Sequence, residues 1–314
     1  MKLRVAITVI AIVLSCLLIT KLYPSEWNIS ANADIDLPFI QQSGTSQPAQ
    51  PADAPATEAT TEKEAEKQGE TKKGEKKNSD KKSKSDIPQT KQEIIQKYTD
   101  VMNKMKTSGV GYQKKEYQAL PEEYRNFSSA VNVILKFAEG YMTTEDNPNS
   151  LLSRDKGMTE ELRNEITICG IDKGCALLEY DPSLACVKSA SCEDLGDGTY
   201  KLSFMLNDEI NPEPTPADTG IPVSAHGAVF APASRKDIMV EVEKVEKLAH
   251  ATCNNFELKY TECYVECIYE PETDRIVDLY QRLNVDITAD ITLIFNIAGS
   301  ARLTNDNHVY DIVW

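Results

Sequence analysis

Between residues 275 and 297 the odd positions read Val277, Leu279, Gln281, Leu283, Val285, Ile287, Ala289, Ile291, Leu293, Phe295 and Ile297. The even positions include Asp278, Arg282, Asn284, Asp286, Thr288, Asp290 and Asn296. Only Gln281 interrupts the apolar set. Successive side chains on a strand point to opposite faces, so this alternation demands a sheet with one face on a core and the other in water. As a single strand the run would span roughly 70 Å, well past the usual strand length, so a break is expected. A two-residue hairpin loop pairs residues of opposite parity and would turn half of the apolar set outward, whereas a three-residue loop keeps it. The bend is therefore placed at Thr288, Ala289 and Asp290. Upstream, Phe256, Leu258 and Tyr260 are even-numbered while Cys263, Val265, Cys267 and Tyr269 are odd, which requires a bulge or short turn at Thr261 and Glu262. Turns are expected at residues 270–274 and again at Asn305, Asp306 and Asn307, before a closing strand at 308–314.

Three helices with one apolar stripe each accompany this sheet. The first begins at Thr90, which with Glu93 makes a capping box, buries Ile94, Ile95, Tyr98, Val101, Met102 and Met105, and stops at Gly109. The second covers about 128–142, and the third about 234–249, with Ser234 as its cap and Ile238, Val242, Val245 and Ala249 on one face. A hairpin joins strands at 186–194 and 199–206 across Gly196-Asp197-Gly198. Residues 207–232 contain Pro212, Pro214, Pro216, Pro222 and Pro232 without a period and read as a surface excursion, with a lid as the functional alternative. The fold class that satisfies all of these is α+β: a curved antiparallel β-meander packed against about three amphipathic helices, in one domain over 87–314.

The first 86 residues have a different chemistry. Lys2 and Arg4 precede an apolar stretch from Val5 to Thr20, the pattern of an export segment, so residues 1–23 are read as a signal anchor or signal peptide. Three fates fit the residues: retention as a short membrane anchor, cleavage before Cys16 with lipidation of that thiol, since Val13-Leu14-Ser15-Cys16 is lipobox-like, or cleavage after Ala31-Asn32-Ala33. Each leaves the remainder outside the cytoplasm, on the cell surface for the first two. Residues 24–86 combine a Gln/Ser/Pro/Ala/Thr run with an interleaved Lys and Glu/Asp run, and lack the apolar surface needed to offset the entropy of ordering. They form a polar tether with a root-mean-square reach on the order of 45 Å. The chain carries 34 basic and 49 acidic residues, 12 of each in the first 86, so the whole net charge of −15 belongs to the C-terminal part. A surface of that sign repels phosphates, so nucleic acid is excluded as a partner.

Seven cysteines follow Cys16. In an oxidising compartment Cys169, Cys175, Cys186, Cys192, Cys263 and Cys267 read as disulfide candidates, with Cys253 left over. Cys186 with Cys192, and Cys263 with Cys267, lie too far apart along their own strands to bond, so a bridge is expected between the two pairs. The spacing of Cys263 and Cys267 is not a zinc knuckle and no histidine accompanies any cysteine, so neither a metal nor a cofactor is expected. His226, His250 and His308 are scattered, and the chain has no nucleophile elbow, zinc-protease helix, phosphate loop or calcium loop.

The strand Val187-Lys188-Ser189-Ala190-Ser191-Cys192, the Gly198-Thr199-Tyr200 hairpin and the run Pro271-Glu272-Thr273-Asp274-Arg275-Ile276-Val277 resemble membrane-tethered surface domains of Gram-positive bacteria. The resemblance implies location and fold and carries no activity. Two functional classes are thereby expected: a tethered binding module for an apolar ligand or a partner protein of the envelope, or an envelope hydrolase whose site is assembled from distant residues. In the first, Leu283, Val285, Ile291, Leu293 and Phe295 line a groove that the helices leave open; the alternative is that the helices fill the concavity and these residues are core, which leaves only partner binding through the surface.

Overall fold

A computed structural model describes residues 87–127, 132, 135, 139, 151–157, 173–249, 252–292 and 296–314. The fold is α+β and dominated by one antiparallel sheet of eight strands: β1 Gly111–Ala119, β2 Leu151–Arg154, β3 Val187–Asp194, β4 Tyr200–Leu206, β5 Glu209–Ile210, β6 Thr252–Glu270, β7 Arg275–Thr292 and β8 Asn296–Val313. Their order is β2-β1-β8-β7-β6-β4-β3, with the short β5 also pairing on β6. Helices α1 Lys91–Thr107, α2 Leu177–Tyr180, α3 Ala225–Val229 and α4 Arg235–Ala249 accompany it. The expected export segment and tether, residues 1–86, lie outside the described residues. Among the described residues no helix is long and apolar enough to cross a membrane.

Local chemistry explains the elements. The α1 start is the expected capping box: the Thr90 hydroxyl accepts from Glu93 N, and the Glu93 carboxylate accepts from Thr90 N. Ser108 caps the other end, and Gly109 leaves the helix at φ +59°. The stripe Ile94, Ile95, Tyr98, Val101, Met102 and Met105 is buried as the spacing requires. In α4 Asp237 N donates to Ser234 Oγ, and Ile238 and Val242 are buried. Of the helix expected at 128–142 only residues 132, 135 and 139 are described; all three are helical, and Leu135 is buried.

The bulge in β6 stands where the parity change required it. Glu262 has φ +52°, the β6–β7 register shifts between Thr261 and Tyr264, and both Tyr260 and Cys263 face the core. Two expected turns are corrected. The bend at Thr288–Asp290 is absent, since β7 runs on to Thr292, which pairs with Asn296 across three residues. Parity is kept by that later connection. Asn305, Asp306 and Asn307 form no turn either; they lie in the middle of β8, paired with β7 on one side and β1 on the other. A long ladder on both edges supplies more backbone hydrogen bonds than a turn would, and outweighs the local turn preference of Asn and Asp. The proline-rich span is not a surface excursion throughout, because residues 224–233 are nearly all buried, including the whole of α3.

The disulfide expectation is overturned. Cys175, Cys186, Cys192, Cys253, Cys263 and Cys267 are all free thiols, and Cys169 lies outside the described residues. The register gives the reason: Cys192 pairs with Leu202 and Leu202 with Cys267, so β4 stands between the two cysteine-bearing strands. Two strand spacings amount to about 9–10 Å, too far for a disulfide. Adding reductant is accordingly expected to leave the melting temperature unchanged within about 1 °C, against a shift of several degrees for a lost disulfide. Alkylation before and after unfolding checks this, since Cys175, Cys263 and Cys267 should react only in denaturant.

Candidate functional site

Register across the three long strands assembles a continuous core-facing strip. Leu258 pairs with Ile287 and Ile287 with Ala301; Tyr260 pairs with Val285 and Val285 with Leu303; further along, Leu283 pairs with Asn305 and Asn305 with Gln118. Of the groove residues named from the sequence, Leu283, Val285 and Ile291 lie on this one face and are 3, 4 and 5% exposed. Leu293 and Phe295 fall outside the described residues. Helix α1 covers the neighbouring rows: the Tyr98 ring meets Phe204 edge-on at 4.9 Å, and the Tyr98 hydroxyl accepts from Gln281 Nε2 at 3.3 Å.

Beyond Tyr98 the strip becomes polar while remaining buried. The row that begins with the apolar Phe204 and Val265 continues through Gln281 and Asn307 to Glu116; the adjacent row ends in Asn305 and Gln118. On β1 the alternation places Tyr112, Lys114, Glu116 and Gln118 inward together, all buried. Lys114 Nζ lies 3.9 Å from Glu116 Oε2. Three atoms of the cluster, Glu116 Oε1, Gln118 Nε2 and Asn305 Oδ1, are buried and have no hydrogen-bond partner among the described residues. Each such group costs a fold about 1–3 kcal/mol when nothing meets it, and most buried polar groups are paired, so three neighbouring exceptions mark a place where a water or a ligand group would bond. Sequence reading missed this cluster. Its signals were Gln281, the only break in an apolar run, and the Asn305-Asp306-Asn307 tripeptide, which resembles a turn.

The opposite face of the same strands is wet and cross-paired. Arg282 holds Asp306 in a bidentate pair at 2.6 and 2.7 Å, Arg302 holds Asp286 likewise at 2.6 and 2.9 Å, and His308 Nε2 lies 2.7 Å from Asp278. Arg282 also stacks over Tyr264 and Tyr280, and Arg302 over Tyr124. These neighbours already occupy the charged groups and ring faces.

A second, partly buried polar group fixes α3. Glu209 accepts from His226 Nδ1 at 2.7 Å, from His226 N at 3.0 Å and from Ala225 N at 3.4 Å, while Ser224 Oγ caps the helix by accepting from Gly227 N. Burial pushes the Glu209 carboxyl up, but the His226 side-chain and backbone donors outweigh it and hold the group below the usual carboxylate range. His226 is fully buried between the Tyr260 and Phe230 rings, and its Nε2 is unpartnered among the described residues. Gly227 is required here by close approach, because a Cβ would stand 2.4 Å from the Glu213 carbonyl oxygen. The six described thiols are held protonated: burial pushes Cys192 up to about 11 and Cys186 and Cys263 up to about 12, and raises Cys175, Cys253 and Cys267. Among the described residues no three His, Cys, Asp or Glu side chains group as metal ligands.

No family model, no curated protein and no solved structure matches this chain.

Proposed function

We propose that this chain is a membrane-tethered binding module on the extracytoplasmic face of the cell membrane, which takes up an apolar ligand along the strip of Leu283, Val285 and Ile291. The observation that carries the reading is the polar cluster at the end of this strip: an apolar face that terminates in buried, unpaired hydrogen-bonding groups is built as a ligand site is, with a greasy body and a few fixed polar contacts. Curvature of the meander and coverage by about three amphipathic helices belong to the same proposal, as does a partner protein of the envelope as the other occupant. The export segment 1–23 and the tether 24–86 supply location. The hydrolase reading is weaker, because the described thiols are raised by burial and the His226 ring beside Glu209 is itself fully buried.

The test uses the full chain in lipid nanodiscs and the dye 1-N-phenylnaphthylamine. Saturable fluorescence enhancement above that of empty discs, lowered at least about fivefold in affinity by Leu283→Asp, is the expected result, since a buried charge on an apolar lining opposes an apolar guest. Enhancement no greater than that of empty discs removes the ligand reading. On intact cells, external trypsin should release a stable fragment beginning near residue 85–92, because the sequence around the lysines of 63–84 lacks the apolar residues that a packed segment needs. First cuts inside 100–314 would contradict the domain boundary.

A further inference from the structure

The three unpaired atoms define a head group. Glu116 Oε1 only accepts while ionised, Gln118 Nε2 only donates, and Asn305 Oδ1 only accepts, though each amide carries a group of the other kind in the same seat. We propose that these residues hold an uncharged, hydroxyl-bearing head, so that the ligand of the strip is a neutral amphiphile of the acylglycerol or alkyl glycoside class. The proposal rests on the reading of the Leu283–Val285–Ile291 strip as a ligand face. Gln118 and Asn305 share one row with Leu283, so a head group at the Leu283 end of the strip meets Asn305 one strand over and Gln118 two strands over.

Charge selects among heads. Lys114 stands 3.9 Å from Glu116 in surroundings where both side chains are about nine-tenths buried, so this pair already balances itself. An anionic head meets Glu116 Oε1 with no proton to give, and two like charges in a buried site repel. An ammonium head donates to Glu116 but accepts nothing from Gln118 Nε2, and it places a second cation beside Lys114. Hydroxyls do both jobs, donating to Glu116 and Asn305 and accepting from Gln118. Their neutrality adds nothing for the site to compensate.

The experiment compares three amphiphiles with matched chains, 1-octanoylglycerol, octanoate and octylammonium, as competitors of 1-N-phenylnaphthylamine on the full chain in nanodiscs, with empty discs subtracted. 1-Octanoylglycerol is expected to displace the dye at a concentration about tenfold lower than either charged competitor, because a site built to hydrogen-bond a group rejects analogues that leave it unpaired. In Asn305→Leu and Gln118→Leu that preference should shrink to about threefold or less while the dye still binds. Asn305→Leu should also melt no lower than the parent, a result that a structural role for the amide would reverse. A charged competitor equal to or better than the glycerol ester, or a preference unchanged in both variants, overturns the head-group assignment and leaves the apolar strip standing. Failure of the dye to bind at all overturns the strip and the assignment together.

Discussion

Glu209→Ala is expected to cost the fold about 2–3 kcal/mol, since removing this partly buried acceptor strands the buried His226 ring donor and two backbone donors. Three donors converge on this carboxylate, the Ala225 and His226 backbone N–H groups and His226 Nδ1, and His226 is fully buried. Glu209→Gln should lose less, because it keeps one acceptor oxygen. The pH dependence has a definite sign. The folded carboxyl is held below its usual range, so its stabilising effect is complete above the unfolded carboxyl's value and is lost as pH falls through the lower, folded one. Urea midpoints measured across the acid limb should therefore fall more steeply for the parent than for Glu209→Gln. Equal slopes, or an alanine variant within about 1 kcal/mol of the parent, would show that α3 is held by packing alone.

Gly299→Val is expected to lose about 3 kcal/mol, the upper range for overpacking a site that cannot move. Asn126 N donates to Ser300 O at 2.8 Å and Ser300 N to Asn126 O at 3.3 Å, which draws residues 126–127 onto β8. A Cβ at Gly299 would stand 2.3 Å from both the Asn126 carbonyl oxygen and the Phe127 ring. The ring can turn, but the backbone oxygen can retreat only by breaking the two hydrogen bonds. Ala298→Val, one residue away on an exposed position, serves as control and should stay within about 0.5 kcal/mol. Hydrogen exchange at Asn126 provides the local readout, with protection lost in Gly299→Val and kept in the control.

How much of this was legible depended on whether a residue obeyed the pattern of its element. The β6 bulge and α1 with its capping box were readable because apolar period and local chemistry agree there. Strand β1 was invisible: Lys114, Glu116 and Gln118 occupy its inward positions, so the one alternation that would reveal a half-buried strand runs in the wrong sense. Asn305 and Asn307 misled for the same reason, since Asn beside Asp is a turn signal and only the flanking strands make it strand. The cysteine pairing failed on strand order, which no local pattern carries: β4 enters between β3 and β6. Thus the same departures from pattern that hid the candidate site are what constitute it.

The β7–β8 ladder pairs Leu279 with Val309 and continues to Thr292 with Asn296 without a register shift, whereas β6 and β7 shift against each other at three places. A residue gained or lost within 279–292 or 296–309 would turn every later side chain of that stretch inside out; in β8, ahead of residue 305, it would carry Asn305 into water and Asp306 into the core. At Glu262 the chain already tolerates one residue more than its partner strand, so a deletion there merely restores a plain strand with both halves still facing inward. Natural variants of this domain should therefore differ in length at bulges such as that of Glu262, and keep residues 279–292 of β7 and 296–309 of β8 at constant length.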